Sequence, residues 1–127
     1  VGDAQAKGAK LAAGGERVGN RGFFYRPTIL TDVPDDATLM SREPFGPVAL
    51  LNRFTSYDAV IAQANALPFG LAGYAFTSSL AKADCVSRDL KVGMAGVNMA
   101  GFGLPETPVC GINDSGYGHE GGIEGMA

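Results

Sequence analysis

The sequence predicts an α/β fold, a parallel sheet with crossover helices, on three observations. Short β-rich or apolar runs alternate with helix-patterned stretches between residues 48 and 98. Serines stand where those helices would begin, and prolines or glycines stand where they would end. Strand, helix, strand, helix, strand with short connections is the pattern of two consecutive right-handed crossover units.

Residues 3 to 12 have helix-forming composition and run into Gly14-Gly15, a pair suited to ending a helix. Past the polar loop Arg17 to Arg21, Phe23 to Leu30 is rich in aromatic and β-branched residues. That composition predicts a strand, which Pro27 breaks or confines to an edge. Val48-Ala49-Leu50-Leu51 is a short continuous apolar run after Pro47, as in a strand covered on both faces. Thr55 or Ser56 caps a helix carrying Val60, Ile61, Ala64 and Leu67, and Pro68 and Gly70 end it. Ala72 to Thr77 is the second strand of the set. Ser79 caps the next helix, with Leu80, Ala83, Val86 and Leu90 on one face and Gly93 beyond its last turn. Ala95 to Asn98 is the third strand. In such a sheet the strand carboxyl ends share one edge, where ligands tend to bind, and the Gly-rich segment Met99 to Gly122 leaves from it.

A chain of 127 residues has the size of one domain at most, and no linker or internal repeat marks a boundary within it. Ten Lys and Arg against thirteen Asp and Glu leave a net charge of -3, which excludes nucleic-acid binding by bulk charge. Hydrophobic residues at 46% and charged ones at 18% allow a buried core. No apolar run reaches the roughly 18 residues of a membrane span, and no signal peptide is legible, so a soluble, cytoplasmic protein is expected. Two cysteines, Cys85 and Cys110, make neither a disulfide framework nor a four-ligand zinc site, so no metal is expected. Ten of the 19 glycines fall between Gly93 and Gly125, which predicts irregular backbone of the kind that carries sites. The chain begins at Val1 within a helical pattern and stops at Ala127 without a closing element, as expected of a piece of something longer.

Three groups of residues could carry chemistry. Gly116-Tyr117-Gly118-His119-Glu120-Gly121 matches G-x-G-x-x-G, but no strand precedes it and no room for a helix and strand follows, so a glycine-permitted loop is the better reading. Cys110 and His119 could pair as thiolate and base, yet nothing visible orients the imidazole. Arg42-Glu43-Pro44-Phe45-Gly46-Pro47-Val48 is a rigid turn whose two prolines fix the directions of a carboxylate and a phenyl ring. A carboxylate so held can accept hydrogen bonds from two vicinal hydroxyls, as on a ribose, and the ring can cover a flat heteroaromatic. The plainer reading is a proline-stiffened turn with Phe45 in the core.

The turn does not stand alone. Pro27-Thr28-Ile29-Leu30, Glu43-Pro44-Phe45-Gly46-Pro47-Val48, Asn65 with Phe69-Gly70-Leu71-Ala72, Phe76-Thr77, Gly96-Val97-Asn98, Glu106-Thr107-Pro108 and Asp114-Ser115-Gly116-Tyr117-Gly118-His119-Glu120-Gly121-Gly122 occur in order. In this the sequence resembles the C-terminal portion of the NAD(P)-dependent aldehyde dehydrogenase superfamily, over essentially the whole chain. The resemblance implies that residues 1–127 are a C-terminal part of that family's catalytic domain with a Gly-rich loop region. It implies oxidation of a small-molecule aldehyde to a carboxylic acid with NAD or NADP, and homo-oligomers when full length. Glu43 then contacts the nicotinamide ribose and Phe45 packs near the nicotinamide. Phe102, Gly103 and Val109 face the substrate.

The family's nucleophilic cysteine and general-base glutamate belong to motifs not present here, and neither Cys85 nor Cys110 matches the nucleophile's motif. No catalytic residue is assigned, and these 127 residues by themselves are expected to be inactive. The closing motif is most like the succinate-semialdehyde dehydrogenase branch. Two departures bear on substrate: Pro108-Val109-Cys110-Gly111 replaces Pro-Phe-Gly-Gly, and Gly103 stands where that branch offers a hydroxyl to a substrate carboxylate. His119 replaces a common Arg and is expected to make a surface hydrogen bond. The rival reading is a non-catalytic packing or assembly module that keeps the fold. Strand order leaves one difficulty, since Glu43 precedes the first parallel strand while the Met99 loop follows the third.

Overall fold

A computed structural model describes residues 1–101, 103–123 and 125. The chain packs as two compact units, Val1–Thr55 and Ser56–Ala127, a division that no change in composition marks.

In the first unit, α1 (Gly2–Ala6) is followed by β1 (Lys10–Ala13), β2 (Thr28–Thr31), α2 (Thr38–Ser41) and β3 (Val48–Leu51). The helix expected over residues 3 to 12 is therefore corrected. Only its first half is helical, because Lys10–Ala13 pairs antiparallel with β2, Lys10 opposite Thr31 and Leu11 opposite Leu30. A ladder partner outweighs the helical preference of alanine-rich sequence, and β propensity reflects such context. Gly14-Gly15 turns the chain after β1 instead of ending a helix.

The strand expected over Phe23 to Leu30 is also shorter, and it is not an edge. Tyr25 makes an isolated bridge to Arg17, Pro27 intervenes, and β2 then runs in the centre of the order β1-β2-β3. Pro27 sits one residue before the ladder, where its missing N–H costs nothing. Leu30 is fully buried, and Ala4, Val33 and Ala37 complete a small core with Ala9. Thr28 is buried with its hydroxyl satisfied, donating to the Arg26 carbonyl at 2.7 Å and accepting from the Gly15 N–H at 2.8 Å.

The second unit holds α3 (Tyr57–Ala64), β4 (Phe69–Gly70), β5 (Ala72–Ala75), α4 (Leu80–Asp89), β6 (Met94–Val97), β7 (Val109–Cys110), β8 (Ile112–Asn113) and β9 (His119–Glu120). Both predicted caps are present: the Ser56 hydroxyl accepts from the Ala59 N–H and the Ser79 hydroxyl from the Lys82 N–H, each at 3.3 Å. Around α4, β5 and β6 pair parallel with Ala72 opposite Met94, the expected crossover unit. β4 pairs with β8 and β7 with β9, both antiparallel.

One expectation of the topology fails. β3 finds its parallel partner in β2, with Thr28 opposite Val48, while β5 pairs with β6. Residues 48 to 98 thus contribute to two separate parallel pairs and not to one three-stranded sheet.

Glycine lets backbone approach backbone in the second unit. A side chain at Gly93 would overlap the Cys110 carbonyl, and one at Gly70 would overlap the Lys91 carbonyl. Asn65, at the end of α3, adds a side-chain tie by donating to the Asp89 carbonyl and accepting from the Lys91 N–H, both at 2.8 Å. Nearby, the Tyr57 hydroxyl donates to Asp89 at 2.7 Å; partial desolvation, then this bond, push the phenol up to about 12.

Candidate functional site

Glu43 and Phe45 lie on an irregular stretch between α2 and β3. Arg42 is already extended, with φ of -125° and ψ of 122°. Pro44 and Pro47 hold the residues before them out of helical conformation, so the chain cannot continue α2. The Gly46 N–H donates to the Pro44 carbonyl and the Val48 N–H to the Gly46 carbonyl, both at 2.8 Å. The Pro47 carbonyl accepts from the Thr28 N–H at 2.8 Å, which ties the turn to the central strand.

The outcome is a fixed turn with two projecting side chains. Phe45 is 93% exposed and takes no part in the buried cluster of its own unit. Glu43 is exposed and makes no side-chain hydrogen bond or ion pair among the described residues. A carboxylate with no partner among the described residues and an exposed aromatic ring two residues on have the chemistry to take a sugar diol carrying a flat heterocycle.

Of the residues expected to face substrate, Phe102 lies outside the described residues. Gly103 is exposed, and a side chain added there would meet nothing within 4 Å. Val109 is half-buried in β7, opposite Glu120 of β9. The segment is anchored beyond Gly103, where the Thr107 N–H donates to the Leu104 carbonyl at 3.0 Å and the Gly122 N–H to the Pro105 carbonyl at 2.9 Å. Glu43 and Phe45 belong to the first unit, Gly103 and Val109 to the second.

Asn98, immediately after β6, does more than end a strand. Its backbone N–H donates to the Ala75 carbonyl at 2.8 Å, while its side-chain amide accepts from the Thr77 N–H and donates to the Thr77 carbonyl, both at 2.9 Å. Its φ is +56°, a left-handed conformation that asparagine tolerates better than most residues. In the first unit Asn52, immediately after β3, clasps Val33 through the same two amide bonds at 2.8 Å. In both, the asparagine stands one residue past its strand and grips the residue two past the partner strand. Sequence reading missed both; the available signal was an Asn directly following an apolar run, a residue type given to side-chain bonding with nearby backbone.

Cys110 and His119 are directly opposed across the β7–β9 ladder. The thiol is nonetheless half-buried and directed at the Gly93 carbonyl, 3.6 Å away, and His119 is exposed. The opposition does not make a nucleophile and base. Cys85 is half-buried on α4, as a structural thiol would be. The G-x-G-x-x-G match spans β9 and contains Gly116 and Gly121 at φ of +102° and +69°, so it is a glycine-shaped turn with no strand-to-helix context. Among the described residues no group of three His, Cys, Asp or Glu could hold a metal, and no helix is long and apolar enough to cross a membrane.

Comparison with known proteins extends these observations. The model of the aldehyde dehydrogenase family matches residues 1–127. A 4-(hydroxymethyl)benzenesulfonate dehydrogenase of Comamonas testosteroni is 52% identical over 121 residues, which cover 95% of this chain and 25% of that protein. A 3-sulfolactaldehyde dehydrogenase of Pseudomonas putida is 43% identical, over 99% of this chain and 26% of its own. A succinate-semialdehyde dehydrogenase of Rattus norvegicus is 40% identical, over 99% of this chain and 24% of its own. The solved NAD+ complex of an aldehyde dehydrogenase from Bacillus cereus superposes with a TM-score of 0.90 at 36% identity, covering 98% of this chain and 26% of that one. The chain thus spans about a quarter of the length of the relatives it matches.

Proposed function

Because the chain belongs to the aldehyde dehydrogenase family, we propose that it is the C-terminal quarter of an NAD(P)-dependent enzyme oxidising an aldehyde that bears a remote anionic group. The observation that carries the reading is the Glu43–Phe45 turn, an uncommitted carboxylate and a bare ring on a backbone stiffened by two prolines. Glu43 accepts hydrogen bonds from the two ribose hydroxyls and so fixes the sugar's orientation. Phe45 packs near the nicotinamide and keeps water from it. The nicotinamide, when bound, supplies the hydride acceptor. Gly103 and Val109, with Phe102, face the aldehyde, and the absence of a side chain at Gly103 leaves room for the bulk of its anionic end.

Support for an anionic substrate comes from the relatives, whose names specify a benzenesulfonate, a sulfolactaldehyde and succinate semialdehyde. The finer kinship to the succinate-semialdehyde branch rests on the closing motif Asp114 to Gly122. Nucleophile and general base come from other parts of the longer protein, so these 127 residues alone turn over no aldehyde. The test is reduced-nicotinamide formation by the full-length protein from succinate semialdehyde, a sulfonated aldehyde and a neutral aldehyde of equal length. The anionic pair should lead in kcat/KM by about tenfold, a difference of roughly 1.4 kcal/mol in transition-state binding. Equal use of all three would remove the anionic preference, and use of none would favour a packing or assembly module.

A further inference from the structure

Asn98 occupies the point where the substrate-facing segment leaves β6. Everything from Met99 to Pro108 departs from one residue held by three hydrogen bonds: its own N–H to Ala75 and its amide group both to and from Thr77. A paired donor and acceptor on one side chain resists both rotation and sliding of the strand end. Gly103, five residues on, has no neighbour within 4 Å of an added side chain among the described residues. The segment is next tied at Leu104–Thr107 and at Pro105–Gly122. Asn98 is thus the point at which the segment is held as it leaves β6.

We propose that Asn98 is a positioning residue for the aldehyde, acting through the segment it launches and not by touching substrate. The inference rests on the reading that residues 103 and 109 face the aldehyde. Asn52 supplies the matched control. It makes the same pair of amide bonds, to Val33, at the end of a parallel strand pair in the other unit, and the chain beyond it leads to α3. Loss of either clamp removes the same kind of bonds; only one should be felt by substrate.

Asn98→Gly keeps a backbone at ease with positive φ and deletes the clamp. In the full-length enzyme it should raise the aldehyde KM by about fivefold to twentyfold while kcat stays within about twofold and cofactor KM is unchanged. Asn52→Gly should lower the thermal midpoint without moving the aldehyde KM. Asn98→Asp retains the acceptor for the Thr77 N–H but sets a carboxylate oxygen against the Thr77 carbonyl; it should fall between wild type and Asn98→Gly, and it serves if the glycine variant does not fold. An unchanged aldehyde KM in a folded Asn98 variant, or an equal rise in Asn98 and Asn52 variants, overturns the proposal. If wild-type enzyme forms no reduced nicotinamide with any aldehyde, the functional reading itself has failed and this inference with it; an active wild type with an indifferent Asn98 variant sinks the inference alone.

Discussion

The two units are closed by the same asparagine device yet held together in different ways. In Val1–Thr55 the buried residues are side-chain-bearing and clustered, with Leu30, Val33, Ala4 and Ala37 within a few per cent of full burial. In Ser56–Ala127 the buried positions among the described residues are Gly70 and Gly96, while Leu71, Phe76 and Leu80 are exposed. The first unit is stabilised as small domains usually are, by removing hydrocarbon from water. The second relies on backbone running against backbone, with Ser115 accepting from the Gly70 N–H at 2.9 Å and Asn65 and Asn98 bridging carbonyls and amides. Side-chain volume should therefore matter most in one unit and absence of side chain in the other.

The largest effect separating them is expected from Leu30→Ala. Truncating a fully buried leucine should cost about 2 to 5 kcal/mol, seen as a lower denaturant midpoint, with hydrogen-exchange protection falling first in β1 and β2. Retention of wild-type stability would show that the cluster around Leu30 is not a core. Next is Gly93→Ala, which adds one methyl group against the Cys110 carbonyl. Overpacking of that kind should cost about 1 to 3 kcal/mol, and exchange should quicken at β6 and β7 before β2. A neutral result would mean that the close approach of Gly93 to Cys110 yields readily.

The smallest effect is electrostatic and confined to the first unit. The Asp3 carboxylate accepts from the Thr38 N–H at 2.7 Å and pairs with Lys7 at 3.4 Å; the Thr38 bond above all holds its pKa below 3.8. A depressed carboxylate contributes stability above its unfolded pKa and loses it as pH falls through the folded value. The tie between α1 and α2 should thus be constant near neutrality and weaken progressively below about pH 4. Asp3→Asn, titrated by circular dichroism, should flatten that acid limb slightly. An identical limb in the variant would assign the acid sensitivity elsewhere.

Local signals in the sequence carried well. Ser56 and Ser79 cap α3 and α4 at the expected residues because a cap needs only the next three residues to act. Pro44 and Pro47 made the Glu43 turn legible for the same reason: each restricts its own neighbour. What failed was non-local. Lys10–Ala13 became a strand because of a partner about twenty residues on, and β3 chose β2 over β5, a choice that periodicity alone does not encode. The Asn52 and Asn98 clamps also depend on strand register, so they surfaced only with the pairing in view. Gly103 and Val109 were reached through the family resemblance and not through spacing.

The proposed grip on the cofactor is an exposed turn of the first unit that takes no part in that unit's buried cluster. It is tested most directly by cofactor titration of the full-length enzyme with Glu43→Ala beside wild type. Loss of the carboxylate should weaken cofactor use by about 1 to 3 kcal/mol, the cost of unpaired sugar hydroxyls, with thermal stability unchanged. Unaltered cofactor affinity in the folded variant would contradict the account.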